Sequence, residues 1–157
     1  MTTLVPMTTA EYAAWREESI PNYARDKVAA GQWSAAESLE KSRAEVDGLL
    51  PQGLATPGHH LWAIRDAAHA ESVGSLWVAE QRLGPRRIAY VFDFGVKPAH
   101  RRQGHARRAF LALEDKVRAL DVDGISLHVF GHNASARALY ESLGYAAVNI
   151  TMFKPLR

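Results

Sequence analysis

A strand, a basic turn and a helix follow one another between residues 87 and 120, and this unit restricts the fold more than any other part of the chain. The strand candidate, Arg87 to Val96, contains IAYVFDFGV, apolar on both faces as a central strand must be. Its one carboxylate is Asp93. Gly95, near its end, weakens the strand and predicts a bulge or a close backbone approach. From about Gly104 to Leu120, residues Ala106, Phe110, Leu113, Val117 and Leu120 recur at helical spacing and predict one buried stripe. Between strand and helix lies VKPAHRRQGHARR, residues 96 to 108. A helix start leaves backbone N–H groups unpaired and carries partial positive charge, so it is a natural seat for phosphate. Gly104 and Ala106 keep the backbone bare for close approach. Arg101, Arg102, Arg107 and Arg108 add forked donors for phosphate oxygens. The turn suits a diphosphate, but it is neither a P-loop (G-x-x-x-x-G-K-[ST]) nor a dinucleotide-binding G-x-G-x-x-G turn.

The remaining elements arrange themselves around this unit. Residues 3 to 7 read as a first strand. Thr8 with Glu11 forms a capping box for a helix to about Ser19, because Pro21 pushes Ile20 out of helical geometry. A second helix is expected from Asn22 to Ala30. A third, opened by Ser34 with Glu37, runs to about Leu50 and turns Ala36, Leu39, Val46 and Leu49 inward. His60 to Arg65 and Ser72 to Gln81 are strands that meander antiparallel into the strand at 87–96. After the long helix come a strand from Ile125 to Phe130, a helix from Asn133 to Leu143 and a final strand from Tyr145 to Phe153. Strand, helix, strand implies a parallel pair joined by a right-handed crossover. The expected fold class is therefore α/β, with a mixed, mostly antiparallel sheet of six to seven strands and helices on both faces.

The 157 residues suit a single domain, with 1–58 forming an N-terminal part and 59–157 a core. Cysteine is absent, which excludes disulfides, thiolate metal sites and a cysteine nucleophile. His128 and His132 fall on a strand and a loop rather than one helical face, so no metal is expected. Neither a basic leader nor an apolar stretch of bilayer length is seen, and the expectation is a cytoplasmic protein without membrane contact. Charge is unevenly placed. Residues 10 to 50 carry eight Asp/Glu and five Lys/Arg, whereas residues 82 to 118 carry three and ten. The first stretch suits a cation and the second a polyanion. Nucleic acid is a poor candidate for that polyanion, because no Phe or Tyr interleaves with the arginines of 101–108 to stack on bases.

Two motifs in order resemble those of the GCN5-related N-acetyltransferases, the GNAT superfamily. Arg101-Arg102-Gln103-Gly104-His105-Ala106, preceded by Val96-Lys97-Pro98, is similar to the family's acetyl-CoA-binding signature. NASARALYESLGY, residues 133 to 145, resembles its second hallmark through Asn133, Ala136, Leu139, Tyr140 and Gly144. The resemblance covers roughly residues 59 to 157. It implies that backbone amides from Arg102 to Arg107 hold the pyrophosphate of acetyl-CoA. It also implies that backbone around Phe94, Gly95 and Val96 pairs with the pantetheine arm, and that Asn133 and Ala136 border it. Tyr140 is then the acid that returns a proton to the CoA thiolate. Acetyl-CoA as co-substrate, a small-molecule or peptide amine as acceptor, and a homodimer are the corresponding expectations.

An alkylammonium must lose a proton before it attacks a thioester. The family often carries a carboxylate or His midway along the central strand, where this chain has Tyr90 and Phe92. Two substitutes remain open as the base. His128, on the strand before the second motif, is an imidazole, a residue type suited to base work. Asp93 is a carboxylate whose burial would raise its pKa. A non-catalytic acyl-CoA-binding domain on the same fold is the rival function.

Overall fold

The computed structural model describes residues 1–157. Its elements run β1 (Thr2–Pro6), α1 (Thr9–Ala29), α2 (Ala35–Leu49), β2 (His59–Asp66), β3 (Gly74–Leu83), β4 (Arg86–Val96), α3 (His105–Arg118), β5 (Gly124–Leu127) and α4 (Ala134–Ser142). They fall into two compact units, Met1–Leu127 and His128–Arg157. No helix is long and apolar enough to cross a membrane.

The first unit holds one sheet in the order β1-β2-β3-β4-β5. The first four strands are antiparallel neighbours, and β5 joins β4 in parallel after the α3 crossover. The mixed α/β class is as expected, with five strands instead of six to seven. Residues 145–157 form no strand, although Val148, Ile150 and Met152 alternate with polar residues. Alternation favours a strand only where a neighbour supplies hydrogen bonds. This segment joins no ladder, and Val148, Ile150, Met152 and Phe153 are exposed.

Alternation along β2 sends the two faces of the sheet to different helices. Leu61 and Ala63 join Met7, Trp15, Ile20, Val46, Leu50 and Trp77 in a core under α1 and α2. Arg65, in step with them, bonds Glu11 of α1 at 2.9 Å. Asp66 lies on the other face with α3, whose Ala109, Phe110, Leu113 and Val117 are buried.

Helix α1 continues through Pro21, contrary to the expected break at Ile20. An interior proline costs a helix about 3 kcal/mol. Burial of one large apolar side chain returns roughly 1.5–3 kcal/mol, and Trp15 and Ile20 are both buried here. Ser42, fully buried on α2, donates its hydroxyl to the Ile20 carbonyl at 2.7 Å. Its role also explains why α2 buries Ser38, Ser42 and Val46 while Ala36 and Leu39 face solvent. Small side chains on that stripe let α1 come close.

One irregularity in β4 decides which side chains share a face. Trp77 pairs with Asp93, but Val78 pairs with Val91, so Phe92 is the extra residue of a bulge. Tyr90 and Phe92 lie together, their rings 4.9 Å apart, and Phe92 stacks on Trp77 at 4.7 Å. Asp93, the very next residue, also points to the α1 side, where the Trp15 indole N–H donates to it at 3.0 Å. Phe94 then packs on Phe110 of α3. A bulge turns the strand so that two successive residues face one way. It lies three residues before Gly95, the glycine that suggested one.

The close backbone approach is real, yet the residue that must lack a side chain is Gly74. A Cβ there would lie 2.2 Å from the Gly95 carbonyl oxygen, whereas one on Gly95 would meet open space. Gly74→Ala should lower stability by about 1–3 kcal/mol, the usual cost of overpacking, seen as a lower urea midpoint. Gly95→Ala should unfold close to the parent.

Candidate functional site

Strand β4 has two differently furnished edges near its end. On one side it pairs with β3 through Val96. On the other, β5 reaches only Val91, opposite Leu127. No strand pairs the β5-side edge from Phe92 to Val96. The Phe94 ring is committed to Phe110, and Gly95 is exposed. What this stretch offers is therefore main chain rather than side chain.

The open edge runs into the basic turn. Arg101 bends back and donates Nε–H to the Val96 carbonyl at 3.0 Å. Arg102 and Gly104 both adopt left-handed backbone, with φ of 62° and 81°. Glycine does so freely, but a residue with a side chain pays about 1–2 kcal/mol. Such strain concentrates where a fixed backbone shape serves a ligand. Changes of hand in consecutive residues also turn amide N–H groups toward one side, as in anion-binding nests. Helix α3 begins its internal bonds with Arg108 N–H to Gly104 C=O at 3.2 Å, so the amides of Gly104, His105 and Ala106 precede the ladder.

Two side chains of the turn are tied to the protein rather than turned to solvent. Arg108 is a fastener, not a free phosphate ligand: Nε donates to Thr2 Oγ1 at 3.0 Å and Nη2 to the Gln103 carbonyl at 2.8 Å. The ring of His105 is buried, 2% exposed, with Nδ1 3.3 Å from the Asp66 carboxylate. His105 can thus meet a phosphate only through its amide. Arg101, Arg102, Gln103 and Arg107 remain exposed around the turn.

The α1 side of β4 carries the second cluster. Burial pushes the Asp93 carboxyl above its ordinary range, and Asp26 nearby pushes the same way. The Trp15 indole, the Phe94 amide and Ser19 oppose the rise by hydrogen bonding. His59 stacks on Phe92 at 5.8 Å, and its Nδ1 accepts from the Trp77 indole at 3.0 Å. Burial first, then the nearby His60, lowers its pKa, so the ring is neutral with the proton on Nε2. Tyr90 and Tyr23 are pushed upward by burial, Tyr23 also by Glu45. His59 was missed from the sequence; it opens a strand beside a loop, and nothing in its spacing joins it to Phe92.

In the second unit, His128 lies beyond the end of β5 rather than on it, is exposed, and sets its ring edge-on to Phe130 at 5.0 Å. Asn133 caps α4 by accepting from the Ala136 amide at 3.3 Å. Ala136 and Tyr140 are half-buried along α4, and the Tyr140 ring is 5.8 Å from that of Tyr145. Gly144 follows in left-handed geometry, φ 97°, as a C-terminal glycine should.

The chain belongs to the acetyltransferase (GNAT) family, whose sequence model matches residues 13–145. It is thereby a transferase, and the match reaches well into the N-terminal part, beyond the 59–157 suggested by motifs alone. Among its relatives are two uncharacterised N-acetyltransferases of Bacillus subtilis (strain 168). YycN is 37% identical over 98% of this chain and 97% of its own. YdgE is 36% identical over 98% of each. The crystal structure of YycN superposes with a TM-score of 0.92, covering 100% of this chain and 99% of that one. The fold is also that of AAC(6')-Iy, solved with the bisubstrate analogue CoA-S-monomethyl-acetylneamine, at TM-score 0.64 and 12% identity over 100% and 99% of the chains.

The raised pKa of Asp93 has a consequence for stability. Between the ordinary value of 3.8 and the higher folded value, the native chain holds a proton that the unfolded chain has lost. Stability therefore falls as pH rises through that window. Asp93→Asn removes the penalty. Its melting temperature should exceed the parent's at neutral pH and converge with it below about pH 4.

Proposed function

We propose that the chain is an N-acetyltransferase that moves an acetyl group from acetyl-CoA to a primary amine. The observation that carries this reading is the unpaired edge of β4 between Phe92 and Val96, continuous with the strained turn at Arg102 and Gly104. An elongated ligand with amides along one part and a diphosphate at the other matches that sequence of open backbone groups. In this reading, backbone of Phe94 to Val96 pairs with the pantetheine arm, amides from Arg102 to Arg107 hold the pyrophosphate, and the exposed arginines screen its charge.

The acceptor is an alkylammonium. Asp93 and Asp26 supply negative charge beside the aromatic rings of Trp15, Phe92 and Tyr90, surroundings that suit a cation with an apolar body. Asp93 removes the ammonium proton, directly or through one water, because its raised pKa makes it a better base than an ordinary carboxylate. The freed amine forms the C–N bond, the C–S bond breaks, the nitrogen gives up its second proton to water, and Asp93 returns the first proton to solvent. A backbone N–H on the open β4 edge stabilises the developing oxyanion. Tyr140 gives its proton to the departing thiolate, and solvent restores it. His128 is the rival base; its exposure and its place outside the strand favour Asp93.

The test is CoA release across amine classes, with product mass identifying the acetylated partner. Tyr140→Phe and Asp93→Asn should each lower turnover by about 100-fold or more while CoA still binds. His128→Ala should retain turnover; a comparable loss there would transfer the base role to His128. CoA binding without single-turnover product from any amine would make the chain an acyl-CoA sensor instead.

A further inference from the structure

Outside the β4 edge and the α1 face, the fold gathers side chains that the proposed chemistry leaves unused. Asp66 ends β2, His69 follows it in the turn before β3, His100 closes a short 3-10 turn, Pro98–His100, and His105 is the first residue of α3. Their positions in the sequence share no metal-binding spacing. The β hairpin and the strand-to-helix turn bring them together beneath Arg101–Ala106.

The ring centroids of His69 and His100 are 4.4 Å apart, and that of His105 is 6.2 Å and 6.3 Å from them. One donor atom each from Asp66, His69 and His105 lie within 4.8 Å of one another. Asp66 Oδ2 and His105 Nδ1 are 3.3 Å apart. Two ligands on a tetrahedral ion with bonds of about 2.0–2.1 Å stand about 3.3 Å from each other, so this pair is already at ligand spacing.

The hydrogen bonding of His105 is unresolved in a telling way. Nδ1 faces an acceptor, Asp66 Oδ2, and a donor, Arg108 Nη2, at 3.3 Å and 3.2 Å. If Nδ1 carries a proton it suits Asp66 and opposes Arg108; if it does not, it suits Arg108 and opposes Asp66. Nε2 is buried without any hydrogen-bond partner. A buried imidazole that satisfies neither nitrogen cleanly has no packing reason to be an imidazole. A dication between Nδ1 and Oδ2 removes the conflict, because both present lone pairs to it. Arg108 can withdraw from the ring and keep its bonds to the Gln103 carbonyl and Thr2. Burial is the main cause holding His105 neutral, and Arg108, His100 and His69 add to it against the pull of Asp66.

We propose that Asp66, His69 and His105, with His100 in reach as a fourth ligand, form a binding site for a first-row dication of the Zn2+ type. Imidazole and carboxylate without thiolate are a recognised donor set for that ion. The bound ion ties the end of β2, the turn before β3 and the head of α3 into one clamp under the basic turn.

The experiment titrates Zn2+ into metal-free full-length protein by calorimetry and follows melting temperature in parallel. One ion per chain and a concentration-dependent rise in melting temperature are expected. His69→Ala changes a partly exposed side chain outside the core, so it should fold as the parent does and bind about tenfold or more weakly. Asp66→Asn should do the same. Absence of stoichiometric binding overturns the proposal, as does parental affinity in His69→Ala, which would place the ion at other histidines.

Discussion

The bulge at Phe92 is the constraint on which the rest of the arrangement depends. A regular β4 would alternate strictly, placing Asp93 with the α3 core and Phe94 with α1. The extra residue lets Phe92 and Asp93 share the α1 face and returns Phe94 to Phe110. It therefore does three things with one backbone irregularity. It completes the Trp15–Trp77–Phe92 aromatic cluster, brings a carboxylate beneath α1, and falls where β5 has already stopped pairing.

Around that point the chain divides labour between main chain and side chain. The edge of β4 and the head of α3 contribute backbone groups. The side chains nearby mostly hold that backbone in place: Arg101 on the Val96 carbonyl, Arg108 on Gln103 and Thr2, and His105 against Asp66. A turn with left-handed geometry at Arg102 needs such fastening, since the strain would otherwise relax.

Much of this was legible before any coordinates. The apolar run of β4, the spacing of α3 and the capping boxes at Thr8 and Ser34 state their own conformations locally, and the elements formed within a few residues of expectation. The two family motifs fell on the turn and on α4. Where the reading departed, partners at long range were responsible. Pro21 remains inside α1 because Trp15 and Ile20 before it and Ala24 after it are buried, and Ser42 bonds the Ile20 carbonyl. Leu39 is exposed because α1 fits against serines. The alternation after Tyr145 has no ladder to join.

The sequence by itself determined the class of protein and the make-up of the basic turn, because both depend on contiguous residues: a helix start, a glycine, and basic side chains beside them. Tertiary structure alone decided the face on which Asp93 lies, the pairing of His59 with Trp77, and the meeting of Asp66, His69, His100 and His105. Each of these joins groups from separate elements. Their proximity follows from strand register and a bulge, which are properties of pairs of strands, so no single segment of the chain records them.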